Sequence, residues 1–234
     1  MRQEEFQDRM TMSKFSRIEV ALTMKESGMV PVFFHKDIEV CKQVLKACYD
    51  GGARVFEFTN RSDRAHLVFQ ELIIWAEKET PEMILGVGSV VDPGTTSLYI
   101  QLGANFIVSP ILNPEMAKVC NRRKIAWSPG CGSLSEISRA EELGAEVVKI
   151  FPGSQVGGPG FVKAVLGPCP WTSIMPTGGV SPDEENLSGW IKAGVHCVGM
   201  GSQLMTKDDR GNFDFKAISK KTEMAIAIIK RLRN

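Results

Sequence analysis

No stretch of this chain reaches the run of about 18 apolar residues that a membrane span requires. Nothing in it therefore predicts a membrane protein. An excess of one charge is also missing: 28 Lys and Arg stand against 27 Asp and Glu, a formal net charge of +1. Nucleic-acid binders ordinarily carry a basic excess, so that class is set aside. Histidine is scarce, with only His35, His66 and His196. The six cysteines (Cys41, Cys48, Cys120, Cys131, Cys169 and Cys197) include no C-x-x-C pair. No Cys/His spacing suits zinc, and reduced thiols in a cytoplasmic protein are the simplest reading. Met1 to Lys14 is polar and charged, unlike a signal peptide. No linker or low-complexity stretch divides the chain. No G-x-G-x-x-G opens a nucleotide-binding turn; Phe34-His-Lys-Asp37 stands where one would begin.

What is present is a core's worth of apolar residues, 43% of 234 positions, in an alternating pattern. Residues 1–28 are read as an N-terminal helical extension. Phe15, Ile18, Ala21 and Leu22 recur there at helical spacing, and Gly28 is a stop. From Met29 short apolar runs begin at Met29, Val55, Met83, Phe106, Ala126, Val147, Ser173 and Cys197, and a helical pattern follows each. Gly51-Gly52-Ala53, Gly103-Ala104, Gly144-Ala145 and Gly194-Val195 mark helix-to-strand joints. Eight βα units over residues 29–234 predict an α/β fold. The form expected is a single (β/α)8 TIM barrel with an extra N-terminal helix, not an open doubly wound sheet.

Barrel enzymes carry their chemistry at the C-terminal ends of the strands. In the sixth run, Val147-Val-Lys-Ile-Phe-Pro152, alternation turns Val147, Lys149 and Phe151 the same way. Burial disfavours an ammonium, and a neutral amine is a nucleophile towards carbonyls. In the second run, Val55-Phe-Glu-Phe-Thr-Asn-Arg61, Glu57, Thr59 and Arg61 share parity. An inward Glu57 can move protons, and Arg61 can hold a carboxylate through its planar fork. A purely structural ion pair, Glu57 with Arg61 or with Lys149, fits the same spacing. Pro176-Thr-Gly-Gly179 and Gly199-Met-Gly-Ser202 follow the last two runs, where barrels often bind phosphate through backbone N–H groups. Ordinary tight turns would use the same glycines. Gly86-Val-Gly-Ser89 is small enough for close ligand approach, and Cys131 is expected on an exposed rim loop.

Taken in order, these segments resemble the KDPG/KHG aldolases, class I aldolases of 2-keto-3-deoxy-6-phosphogluconate or 2-keto-4-hydroxyglutarate. The resemblance runs from about Val30 to Met205. It is carried by Val30-Pro-Val32, Gly51 to Thr59 with Arg61, Gly86-Val-Gly-Ser89 and Gly103 to Pro110. It continues through Ser128-Pro-Gly130, Val148-Lys-Ile-Phe-Pro152, Pro176-Thr-Gly-Gly179 and Gly199-Met-Gly-Ser202. It implies that Lys149 is the Schiff-base lysine and Glu57 the general acid/base. It implies that Arg61 and Ser89 hold the pyruvate carboxylate and that Pro110 and Phe151 line the pyruvyl pocket. Thr177, Gly178, Gly179 and Ser202 then receive the distal phosphate. The products implied are pyruvate and an aldehyde, glyceraldehyde 3-phosphate or glyoxylate. No cofactor and no metal are implied. The partner implied is a phosphorylated 2-keto acid, and the assembly a homotrimer. The chain departs from better-known members in Asn60, Ser89, Cys131 and Gln203, which bears on the aldehyde rather than on the core chemistry. Two rival readings remain at this level. One is another phosphate-binding barrel enzyme, an epimerase or synthase. The other is a non-catalytic metabolite-binding protein.

Overall fold

A computed structural model describes residues 13–233. The segment Met1 to Met12, part of the expected N-terminal extension, lies outside the described residues. Helix α1 (Arg17–Ser27) starts in a capping box. The Ser16 hydroxyl accepts from the Glu19 N–H at 3.3 Å, and the Glu19 carboxylate accepts from the Ser16 N–H at 2.7 Å. Gly28, at φ 71°, ends the helix, a conformation that favours glycine.

Strands and helices then alternate. They run β1 (Met29–Phe33), α2 (Ile38–Asp50), β2 (Val55–Thr59), α3 (Ala65–Glu79), β3 (Ile84–Gly88), α4 (Pro93–Gln101), β4 (Phe106–Val108), α5 (Pro114–Arg123) and β5 (Ala126–Ser128). They continue as β6 (Gly130–Cys131), α6 (Leu134–Glu142), β7 (Val148–Ile150), α7 (Gly158–Leu166), β8 (Ile174–Pro176), α8 (Glu184–Lys192), β9 (Val198–Met200) and α9 (Phe215–Arg233). The α/β alternation expected from the sequence is present.

The parallel strands form a six-stranded sheet, β5-β4-β3-β2-β1-β9, and a three-stranded sheet, β6-β7-β8. One continuous eight-stranded ladder was expected, and the ladder is interrupted at two seams. At the first, Pro129 divides the expected fifth strand into β5 and β6, because proline has no N–H for the ladder. Its carbonyl still accepts from the Lys149 N–H at 3.0 Å. At the second, β8 and β9 are joined by a lone bridge, Thr177 to Gly199, and by the His196 N–H donating to the Ile174 carbonyl at 2.8 Å.

Two apolar cores result. The larger lies between the strands and the surrounding helices; α2, for example, buries Cys41, Val44, Leu45 and Cys48 there. The smaller joins Val30, Val55, Ile84, Phe106, Val147, Met175 and Cys197, drawn from both sheets, to Val20 and Met24 of α1. Helix α1 thus covers the N-terminal ends of the strands. Its buried stripe is only in part the one the spacing predicts: Phe15 and Ala21 pack, half-buried, against this cluster, but its centre lies elsewhere. Val20 and Met24 are buried, while Ile18 and Leu22 are 66% and 55% exposed. A helix lying across strand ends touches them along one narrow i,i+4 row, so a wide apolar face is not required. Polar ties hold it there: Arg17 pairs with Glu146 at 2.6 Å, and the His196 Nε2 bonds the Ala21 carbonyl at 2.9 Å.

Cys131 also departs from expectation. It sits on β6, paired with β7, and is buried rather than exposed. Burial pushes its thiol up to about 12, which keeps it protonated and unreactive.

Candidate active site

The two charged residues set inside apolar strands meet. The Lys149 Nζ of β7 lies 3.8 Å from Oε1 of Glu57 on β2, with side chains 6% and 1% exposed. Strand alternation aims both inward, and β3 makes the room. Gly86 packs on the Phe106 ring, and Gly88 lies flush against the Glu57 carboxylate, where a Cβ would overlap Oε1. Burial raises the Glu57 carboxyl above its ordinary range, and the Lys149 and Arg61 charges partly oppose that. Its Oε2 is buried without a hydrogen-bond partner among the described residues. Such an oxygen is available to a ligand. The Lys149 Nζ stands 5.0 Å from the centroid of the Phe151 ring.

A cavity of about 720 Å³ opens beyond the strand ends, lined by Thr59 and Phe151, each two residues past Glu57 and Lys149, which do not themselves line it. Thr59, Arg61, Phe151, Thr177, Gly178, Gly179 and Ser202 all line it. Gly178 and Gly179 take φ 93° and 76°, and the chain there is braced from outside. The Gly153 N–H donates to the Thr177 carbonyl at 2.8 Å, and Asn186 donates to the Gly179 carbonyl at 3.0 Å. Among the described residues, no carboxylate lines the cavity. Ser89 and Pro110 are not among its lining residues. Ser89 sits beyond β3 in the left-handed region at φ 59°, uncommon for a residue with a side chain. Pro110 has its carbonyl against Gly130.

Residues that the sequence did not single out join the site. Thr59 is 1% exposed, and its hydroxyl has no partner among the described residues. Its parity with Glu57 was a signal that could have found it. Phe34, Lys207 and Phe213 also line the cavity, together with Gln203, one of the departures from the family pattern. Among the described residues, no group of three His, Cys, Asp or Glu side chains could hold a metal ion.

A family model described as KDPG and KHG aldolase matches residues 20–221. This chain belongs to the KDPG/KHG aldolase family. That family consists of lyases. Curated relatives agree with the assignment. The 2-dehydro-3-deoxy-phosphogluconate aldolase of Pseudoalteromonas atlantica is 32% identical over 92% of this chain and 98% of its own length. The KHG/KDPG aldolase of Escherichia coli K12 is 32% identical over 85% of this chain and 90% of its own length.

Solved structures extend the likeness to the backbone. A KDPG aldolase from Legionella pneumophila, with pyruvate captured at low pH as a covalent carbinolamine intermediate, is 28% identical with a TM-score of 0.75. The match covers 89% of this chain and 97% of that one. Thiamine phosphate pyrophosphorylase from Pyrococcus furiosus has a TM-score of 0.66 at 16% identity and shares the fold alone. Fold by itself therefore does not separate an aldolase from a phosphate-binding synthase. What distinguishes this site chemically is the buried Lys149 amine beside the Glu57 carboxyl group.

Proposed function

We propose that this protein is a class I aldolase. It cleaves a 2-keto-3-deoxy-6-phosphogluconate-type or 2-keto-4-hydroxyglutarate substrate to pyruvate and an aldehyde. The observation that carries this reading is the buried Lys149–Glu57 pair, two residues along their strands from Thr59 and Phe151 of a cavity whose described lining has no carboxylate.

In this reading the Lys149 amine attacks the 2-keto carbon. Glu57, with its raised pKa, passes a proton to the developing alkoxide, takes one back from the attacking nitrogen, and passes that one to the departing water. The resulting protonated imine accepts the electron pair of the C3–C4 bond. As that bond breaks, the C4 hydroxyl gives up its proton to the Glu57 carboxylate and the aldehyde leaves. Glu57 returns that proton to C3 of the pyruvate enamine, and water adds to the resulting imine and releases pyruvate from Lys149. Arg61 faces the substrate carboxylate through a bidentate fork, with Ser89 as a second donor. Phe151 and Pro110 border the pyruvyl methylene. Thr177, Gly178, Gly179 and Ser202 receive the distal phosphate, helped by backbone N–H groups.

The architecture proposed with it is a (β/α)8 barrel comprising residues 29–234, with residues 1–28 as an N-terminal helical extension whose helix α1 covers the strand ends. Contact of both sheets with one interior cluster supports closure. A homotrimer in the cytoplasm completes the proposal, and light scattering tests the assembly. No described helix is long and apolar enough to cross a membrane.

Pyruvate with borohydride tests the chemistry. A reduced pyruvyl adduct, mapped to Lys149 by peptide mass, is the expected result. Folded protein with no adduct would remove the imine mechanism and favour a phosphate-binding isomerase or a binder.

A further inference from the structure

We propose that Lys207, on the loop between β9 and α9, pairs with an anionic group at the far end of the substrate and sets selectivity for it. This inference rests on the aldolase reading. Lys207 and Phe213 form a lone antiparallel bridge that closes a small hairpin. Asp208 ties the turn: its carboxylate accepts from the N–H groups of Arg210 at 2.9 Å and Asn212 at 2.8 Å. The hairpin is anchored to the strands by Phe213, whose ring meets Phe33 edge-on at 5.2 Å between centroids. Phe33 is buried at the end of β1.

The Lys207 ammonium lies 4.9 Å from the Phe213 ring centroid, so the ring restricts where the flexible side chain goes. Among the described residues Lys207 forms no ion pair. The Asp208 carboxylate beside it in sequence is committed to the turn. Among the described residues, Lys207 and Arg61 are the two cations lining the cavity, and no carboxylate lines it. The Thr177–Gly179 turn and Ser202 line the same cavity and offer neutral donors. A cavity with a guanidinium and an ammonium at separate points, and no competing anion, fits a ligand with two anionic groups. A carboxylate at Arg61 leaves the second anion, phosphoryl or carboxylate, for Lys207.

The test compares three substrates: 2-keto-3-deoxy-6-phosphogluconate, 4-hydroxy-2-oxoglutarate, and 2-keto-3-deoxygluconate, whose far end is neutral. Wild type, Lys207→Ala and Lys207→Arg are assayed for KM and kcat separately, and wild type is trapped with pyruvate and borohydride. In Lys207→Ala, preference for the favoured anionic substrate over the neutral one should fall about 5- to 10-fold, carried by KM. Lys207→Arg should restore most of it. Wild-type preference between the two anionic substrates identifies the phosphoryl or the carboxylate. Equal changes on all three substrates, or no change, would overturn the role of Lys207 and leave the aldolase reading standing. Failure of wild type to trap pyruvate would overturn both.

Discussion

The Lys149 Nζ and the Glu57 Oε1 stand 3.8 Å apart although their strands belong to different sheets. The pair is therefore an interior contact across the molecule. Removing the amine removes the covalent route: Lys149→Ala should give no pyruvyl adduct and lose activity by at least about 10⁴-fold. Glu57→Gln keeps the amine but not the proton carrier, so it should form adduct and slow turnover by about 10²–10⁴-fold. Intact mass and steady-state rates check both. Near-normal turnover in Lys149→Ala would exclude the imine mechanism.

Gly88 is the floor against which that carboxyl group rests. A methyl group there would overlap Oε1 of Glu57, so Gly88→Ala must push the carboxyl out of place. Overpacking of this kind costs about 1–3 kcal/mol of stability. The catalytic loss should be larger in proportion, about 10²-fold in kcat, because displacement of a catalytic group by an ångström carries that effect. Urea melts and kcat on the same protein separate the two. A variant with intact kcat would show that Glu57 works from another position.

Much of this was legible because it is local. Lys149 and Glu57 announced themselves as charges in apolar runs, and the two glycine turns as breaks after strands. Other features depended on what the chain meets after folding. The buried row of α1, Val20 and Met24, is fixed by the strand ends beneath it, and the spacing of Ile18 and Leu22 gave no sign of that. Pro129 was visible, but its effect on the ladder depended on which neighbour needed an N–H. Lys207 reaches the cavity because a hairpin folds back on Phe33, and neither residue predicts the other from sequence.

His196 gives the fold a pH dependence of known sign. Burial, and to a smaller extent the Lys25 and Arg233 charges, lower its pKa below the ordinary 6.5, favouring the neutral ring. The unfolded chain then binds a proton that the folded chain refuses. Stability is complete above pH 6.5 and falls as the pH drops towards the folded pKa, by up to about 1.36 kcal/mol per pH unit. His196→Gln should flatten that part of the profile. Urea unfolding of both proteins at pH 7.5, 6.5 and 5.5 measures it. Parallel profiles would mean that His196 titrates normally.

Thr59 offers a prediction in which stability and activity move in opposite directions. Its hydroxyl is buried on the strand face shared by Glu57 and Arg61, and it has no partner among the described residues. A buried, unsatisfied hydroxyl costs about 1–3 kcal/mol. Thr59→Val keeps the shape and removes that cost, so the variant should be as stable as wild type or more so. If the hydroxyl faces substrate, the same change should raise KM for the cleaved keto acid, by about 5- to 10-fold for one lost hydrogen bond. A merely structural Thr59 would leave KM alone. A hydroxyl satisfied within the fold would make Thr59→Val less stable. Thermal melts and KM together therefore distinguish a substrate contact from both alternatives.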